Sequence, residues 1–202
     1  MSYNLGYESE KTLEDNLIKQ LCADGYEFVE INDIDDLHKN FRKQINKHNA
    51  SRLNGHELSD KEFERLLVKI QGKGVYGSSK TLRSLQDITM DDGSTQYVEL
   101  FNTKNNEWCK NEFQITHQVT MIGKYENRYD VTLLINGLPL VQIELKRRGI
   151  DFKEAFNQVI RYKKHSLNDL FRYVQIFIIS NGIDTKYFAN SDKEMDFQYT
   201  FY

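Results

Sequence analysis

The stretch RYDVTLLINGLPLVQIELKRRG, residues 128–149, constrains this chain more than any other segment. Two runs that alternate apolar and polar residues meet at Asn136-Gly137, a dipeptide that readily takes the positive φ angles of a tight hairpin turn. On the second run Val141, Ile143 and Leu145 share one face, and Gln142, Glu144 and Lys146 share the other. On the first, Tyr129, Val131, Leu133 and Ile135 share a face, while Asp130 and Thr132 take the opposite one. Register decides whether the two acids meet. A strict two-residue turn pairs 135 with 138 and sets 130 opposite 143, which leaves Asp130 and Glu144 on different faces. One extra residue, in a three-residue loop with Gly137 left-handed or in a bulge, sets 130 opposite 144. We expect the extra residue, which also puts Pro139 at a strand start, where its missing N–H is tolerated.

Two carboxylates held about 5 Å apart across a strand pair repel one another unless a hard cation lies between them. Mg²⁺ suits such a pair, because it takes one or two carboxylates and fills its octahedron with water and phosphate oxygens. Lys146, on the same face as Glu144, can then reach the phosphate or the attacking water, stabilising negative charge or helping to deprotonate the nucleophile. From alternation alone, a solvated strand face carrying a Glu and a Lys is the competing account.

Three other features bear on that choice. The segment SEKTLEDNLIKQLCADG reads as a helix with Ser9 as N-cap and Gly25 as stop, and Glu14 falls inside the apolar arc of Leu13, Leu17, Ile18 and Leu21. A bare carboxylate buried there costs several kcal/mol unless it is paired, protonated or near a metal; a surface position at the arc's edge is the alternative. Gln158 and Tyr162, four apart on the helix DFKEAFNQVIRYKKH, form a polar strip beside Phe152, Phe156 and Val159. Residues 146–165 also hold seven positive side chains, among them Arg147, Arg148, Arg161, Lys163 and Lys164, against Asp151 and Glu154. The chain's net charge is −3, so nucleic acid can be held only by such a local patch, although a solvated helix face explains part of it.

Between these lies a charged helical stretch from about 34 to 86, then a change to period two, with QYVELFN and EFQITHQVTMIG as strands on either side of a loop around NTKNNEW. RYVQIFIISNG reads as a nearly continuous apolar strand, with further strands in TKYFAN and DFQYTFY. The order is mixed α/β. Cys22 and Cys109 show no metal-ligand spacing and fit a reduced, cytoplasmic setting. No secretory signal and no bilayer-length apolar run is present, so no membrane partner is expected.

Asp130, thirteen residues, then Glu144-Leu145-Lys146 resembles the PD-(D/E)XK nuclease core, and Gln158-Val159-Ile160-Arg161-Tyr162 matches the QxxxY element of the N-terminal nuclease domain in the R (restriction) subunit of type I restriction-modification enzymes. The likeness extends over most of the chain, including the Glu14 helix, KTLR at 80–83, LVQIELK and IFIISNG. It implies a restriction-endonuclease-like α/β (α+β mixed) fold, a central mixed sheet flanked by helices. It also implies one endonuclease domain over 1–202, with a helical insertion at about 34–90 and the nuclease core at about 96–190. By the same resemblance Asp130 and Glu144 bind Mg²⁺, Lys146 is catalytic, and Gln158 and Tyr162 are accessory; Glu14 joins the accessory residues on its place in the apolar arc. Arg147, Arg148, Arg161, Lys163 and Lys164 are the expected contacts to double-stranded DNA. The R subunits are far longer and carry ATP-driven motor domains, so this chain reads as an N-terminal piece whose longer form works with methyltransferase and specificity subunits. Tyr129 stands where the motif name has proline.

GKGVYGSSKT at 72–81 nearly spells a phosphate-binding loop, but Ser79 replaces the last glycine and no strand precedes it; it reads as a connector. The histidines at 38, 48, 56, 117 and 165 have no metal-ligand spacing and read as surface or structural, and Trp108 as a core or loop anchor. Two rival functions stand beside the restriction reading: a stand-alone PD-(D/E)XK repair or junction nuclease, and a non-catalytic DNA-binding or assembly module on the same fold.

Overall fold

A computed structural model describes residues 9–71, 73–104, 110–123 and 126–202. Trp108, Cys109 and most of the NTKNNEW loop therefore lie outside the described residues. The chain is mixed α/β. Helix α1 (Glu10–Ala23) leads to a short strand β1 (Glu27–Phe28), and three helices follow: α2 (Ile34–His48), α3 (Asp60–Ile70) and α4 (Gly74–Leu82). Next come β2 (Gln86–Thr89), β3 (Thr95–Val98), β4 (Phe113–Ile122), β5 (Glu126–Ile135) and β6 (Leu138–Leu145). Helix α5 (Phe152–His165) and strands β7 (Ile176–Ser180) and β8 (Thr185–Ala189) complete the core.

Six strands form the central sheet in the order β1-β4-β5-β6-β7-β8, with β1–β4 and β6–β7 parallel and the other neighbours antiparallel. The parallel β6–β7 pair requires a crossover, and α5 supplies it. Among the described residues β2 and β3 pair only with each other, so residues 86–89, at the end of the stretch read as helical, are a strand of a separate hairpin. The C-terminal DFQYTFY is not the strand that its alternation implies. A 3-10 turn occupies Phe197–Tyr199, and Phe201 alone bridges to Tyr187 on β8.

Each face of the sheet buries a different apolar layer. Leu13, Leu17, Ile18 and Leu21 of α1 pack on Ile115, Val131, Ile143 and Leu145, as the helical arc requires. The opposite face holds the larger core, with Phe41 and Ile45 from α2, Leu66 from α3, Phe156 and Val159 from α5, and Phe177 and Ile179 from β7. Ser9 caps α1 by accepting a hydrogen bond from the Thr12 amide, and Gly25 follows the helix at φ +102°. α3 opens on a capping box between Ser59 and Glu62.

The β5–β6 hairpin resolves the register question. Asn136 and Gly137 have φ of 50° and 81°, the signature of a two-residue type I′ turn, and Ile135 pairs with Leu138. Leu134 then pairs with Pro139 but Leu133 with Val141, so Leu140 is a bulge. Beyond it Val131 faces Ile143, and Asp130 comes level with Glu144. The extra residue is therefore in the strand rather than the loop, and Pro139 is the second residue of β6 rather than its first.

One face assignment changes. Val131 and Leu133 pack with α1, whereas Tyr129 packs at a steep angle against the rings of Tyr162 and Phe171, at centroid distances of 4.8 and 4.7 Å, in the larger core. Alternation breaks at Asp130 because Gln118 on β4, between the pairs His117↔Val131 and Val119↔Tyr129, is left-handed at φ 53°.

The hairpin tip is itself buried. Asn136 is fully enclosed, accepting from the Glu112 amide and donating to the Leu100 carbonyl and the Asn111 side chain. A Cβ on Gly137 would lie 2.7 Å from Cα of Phe41, so α2 crosses the turn against bare backbone. Gly137→Ala therefore combines left-handed strain with overpacking against a helix and should destabilise the fold by about 2–4 kcal/mol, read as a lowered urea midpoint; a midpoint within error of the parent would show that α2 does not need this contact.

Candidate active site

Asp130, Glu144 and Lys146 converge at the bulged end of the hairpin. Oδ2 of Asp130 accepts the Leu145 amide at 2.8 Å, so its carboxylate takes a donor from the neighbouring strand. Glu144 lies on β6 between β5 and β7, aligned with Ile179, and is fully buried. Its Oε1 accepts the Lys146 ammonium at 2.6 Å, while its buried Oε2 accepts no hydrogen bond among the described residues. The strand face is therefore not solvated: Gln142 and Thr132, next along it, are also fully buried and joined by a 2.7 Å hydrogen bond.

Burial sets the electrostatics. It pushes the Glu144 carboxyl up to about 8, with the Asp130 charge adding to the rise and Lys146 opposing it. Asp130 is raised by burial too, and the carboxylates of Glu14 and Glu10 add to the effect. For Lys146, burial works against the charged form, but Glu144 and Asp130 hold its pKa above the ordinary lysine value. Two adjacent acids with raised pKa values and an orphaned buried oxygen form a site short of positive charge, which a hard divalent cation fits. Among the described residues no three His, Cys, Asp or Glu side chains stand close enough to hold a metal by themselves. The pair would therefore leave most of an octahedral shell to water and phosphate, as Mg²⁺ prefers.

Glu14 and Tyr162 lie near enough to this pair for the charges to be felt between them. Glu14 is 5% exposed and is the buried residue of α1, its two oxygens bound by His117 Nδ1 at 2.7 Å and by Gln118 Nε2. Tyr162 is buried; its hydroxyl donates to the Arg128 carbonyl at 3.1 Å and accepts from Gln158 Nε2, which ties α5 to β5 two residues before Asp130. Its pKa is raised by burial and by the nearby Glu144 charge.

The basic residues divide. Arg147, Arg148, Arg161 and Lys164 are exposed, with the Arg161 guanidinium 5.7 Å from the Tyr162 ring centre. The Lys163 ammonium is turned inward, donating to the carbonyls of Ser191 and Lys193, and burial lowers its pKa.

Sequence reasoning missed three contributors. Glu10 stands one turn before Glu14 and accepts the Arg147 amide at 3.1 Å, a position that the i, i+4 spacing could have shown. His117 had a signal as well, a polar residue on the apolar parity of Ile115, Val119 and Met121. Gln118 had none, because its role depends on a left-handed backbone. The near phosphate loop is a helix, α4, whose Val75 amide already donates to the Asp192 carboxylate at 2.9 Å; an acid occupies the place a phosphate would need.

Comparison with known proteins places this geometry in context. The family model described as the type I restriction enzyme R protein N terminus matches residues 7–195. A type I restriction enzyme endonuclease subunit of Staphylococcus saprophyticus is 53% identical over 196 residues, covering 97% of this chain and 21% of that protein. One from Staphylococcus aureus strain MSSA476 is 51% identical over 198 residues, which is 98% of this chain and again 21% of the relative. The EcoprrI endonuclease subunit of Escherichia coli is 41% identical over 196 residues, which is 93% of this chain and 60% of that protein. The chain thus spans about a fifth of the two staphylococcal subunits.

The raised Glu144 pKa makes stability depend on pH. With a folded value of about 8 against an ordinary 4.5, Glu144 binds a proton only in the folded state between those limits. Stability must then fall as pH rises through that window, by on the order of a few kcal/mol in ion-free buffer. Urea unfolding with a chelator should show the chain less stable at pH 8 than at pH 5, and Glu144→Gln should remove most of that slope. Parallel pH profiles for the two proteins would mean that Glu144 is solvated.

Proposed function

We propose that this chain, which belongs to the family of the type I restriction enzyme R protein N terminus, is the DNA-cleaving part of a type I restriction enzyme endonuclease subunit, hydrolysing phosphodiester bonds at Asp130, Glu144 and Lys146 with Mg²⁺. The observation that carries this reading is the fully buried Glu144, with one oxygen on Lys146 and the other without a hydrogen-bond donor among the described residues, level with a second acid across the β5–β6 ladder. A fold gains nothing in stability from such an arrangement, since an apolar pair would pack at less cost.

Asp130 and the free Oε2 of Glu144 would hold the ion, which supplies charge neutralisation at the phosphate and a water of lowered pKa. Asp130 is aimed by the Leu145 amide, and Glu144 by the strands on both sides. Lys146, carried on the same strand, directs its ammonium at the developing negative charge on the phosphate and orients the attacking water. Tyr162 and Gln158 fix α5 against β5 next to Asp130 and can hydrogen-bond DNA without adding charge. Arg147, Arg148, Arg161 and Lys164 are the exposed cations for the backbone of double-stranded DNA, while Lys163 holds the segment at 191–193.

Sequence recognition, the methyltransferase and specificity partners, and ATP-driven movement belong to the longer assembly of a type I enzyme, working on DNA in the cytoplasm. Family membership favours this over a stand-alone repair nuclease, and the complete Asp130, Glu144 and Lys146 set favours it over a non-catalytic module.

Calorimetric titration with Mn²⁺ tests the reading. The parent should bind the ion and Asp130→Ala should lose it, whereas equal binding by the two proteins would reduce the pair to a strand face. Lys146→Ala in the full enzyme should keep the ion and lose cleavage by about 100-fold or more; undiminished cleavage would remove the lysine from the mechanism.

A further inference from the structure

Strand β4 departs from regular geometry at one interior residue. Gln118 takes φ 53° inside a ten-residue strand, a left-handed conformation that is strained for a non-glycine residue and persists only where its surroundings enforce it. Its backbone and its side chain each do something there. The backbone breaks the face alternation: Ile115 packs with α1, but Val119 and Met121 enter the larger core. Tyr129 and Val131 part in the same way on β5, so the break runs across both strands at the level of Asp130. The side chain crosses to α1, where Nε2 donates to Oε2 of Glu14, while His117 donates from Nδ1 to Oε1 at 2.7 Å. Both Glu14 oxygens are thereby taken, in a side chain that is almost fully enclosed and lies near enough to Asp130 to add to the rise in its pKa.

A link between a helix and a sheet needs no buried carboxylate, because apolar residues serve that purpose at less cost. The use of Glu14 is its charge and its place. We propose that Gln118 is a positioning residue for the cleavage reaction: its left-handed backbone turns β4 at the level of Asp130, and its amide clamps Glu14 beside the Asp130–Glu144 pair, with His117 as the second arm. Gln118 acts through Glu14, whose negative charge strengthens the site's hold on a cation. The inference rests on the reading of Asp130 and Glu144 as an ion-holding pair.

The test uses the intact subunit, Mn²⁺ titration and unfolding measured without metal. Gln118→Gly keeps the positive φ and deletes the amide, and Gln118→Asn, also at ease there but too short to span the gap, is the second variant. Both should weaken Mn²⁺ binding by about 10-fold, the low end of what outer-shell partners of metal-site residues show, while the unfolding midpoint reports separately what the lost hydrogen bond to buried Glu14 costs the fold. Glu14→Gln should weaken binding similarly, and the Gln118→Gly, Glu14→Gln double variant should be no weaker than either single one, because the two act as a unit. Parental Mn²⁺ affinity in both Gln118 variants, or effects that multiply in the double variant, would overturn the clamp. Glu144→Gln separates the two levels: if it abolishes binding while the Gln118 variants do not change it, only the clamp fails, and if the unaltered subunit takes up no Mn²⁺, the ion-holding reading fails with it.

Discussion

The pairing of β5 with β6 beyond the Leu140 bulge is the constraint on which the site depends. The type I′ turn at Asn136-Gly137 would by itself leave Asp130 opposite an apolar residue. A single extra residue between Pro139 and Val141 shifts every later pair by one, and a shift of one exchanges the faces of a strand. Glu144 moves level with Asp130, while Ile143 and Leu145 still face α1. The turn before the bulge is held in place: Asn136 is bonded on three sides, and α2 lies across Gly137. The helical stretch before the sheet thus supports the site from a distance.

The same arrangement concentrates negative charge where water is scarce. Glu144 is enclosed by neighbouring strands, Asp130 meets it across the ladder, and Glu10 and Glu14 approach from α1, with Lys146 the close counter-charge. Removing charged groups from water costs more than pairing them returns, so the raised pKa values of both acids express an imbalance that a bound cation would relieve. Packing pulls in the other direction at the edges: Tyr129, Tyr162 and Phe171 form an aromatic cluster under Asp130 that fixes β5 and α5 together. A rigid apolar floor and an under-neutralised polar rim are what an electrostatically driven hydrolysis requires.

Much of this was legible in the residues themselves. Period-two runs around Asn136-Gly137 specify a hairpin because alternation and turn chemistry are local properties. The arc of Leu13, Leu17, Ile18 and Leu21 specifies the buried face of α1 for the same reason, and Glu14 stands out within it. The spacing of Gln158 and Tyr162 on one helix puts them together, and they do share a hydrogen bond. What misled was equally local: the alternation of DFQYTFY has no partner strand to pair with along its length, and Tyr129 sits on the opposite face from the one its parity assigns.

The sequence by itself determined most of the elements, the α1 and α5 faces and the identity of the charged groups, because periodicity, capping and turn preference act over a few residues. Tertiary structure alone decided where the extra hairpin residue went, since a loop and a bulge satisfy the same pattern and only the packing of α2 against Gly137 distinguishes them. It also decided that Gln142 and Glu144 are buried, because strand parity says which side chains share a face but not what covers it. It decided that Lys163 turns inward while Lys164 faces solvent, through carbonyls some thirty residues away in sequence. The left-handed Gln118 belongs wholly to this second class, for a glutamine has no intrinsic preference for that conformation, and only contacts with α1 and β5 hold it there.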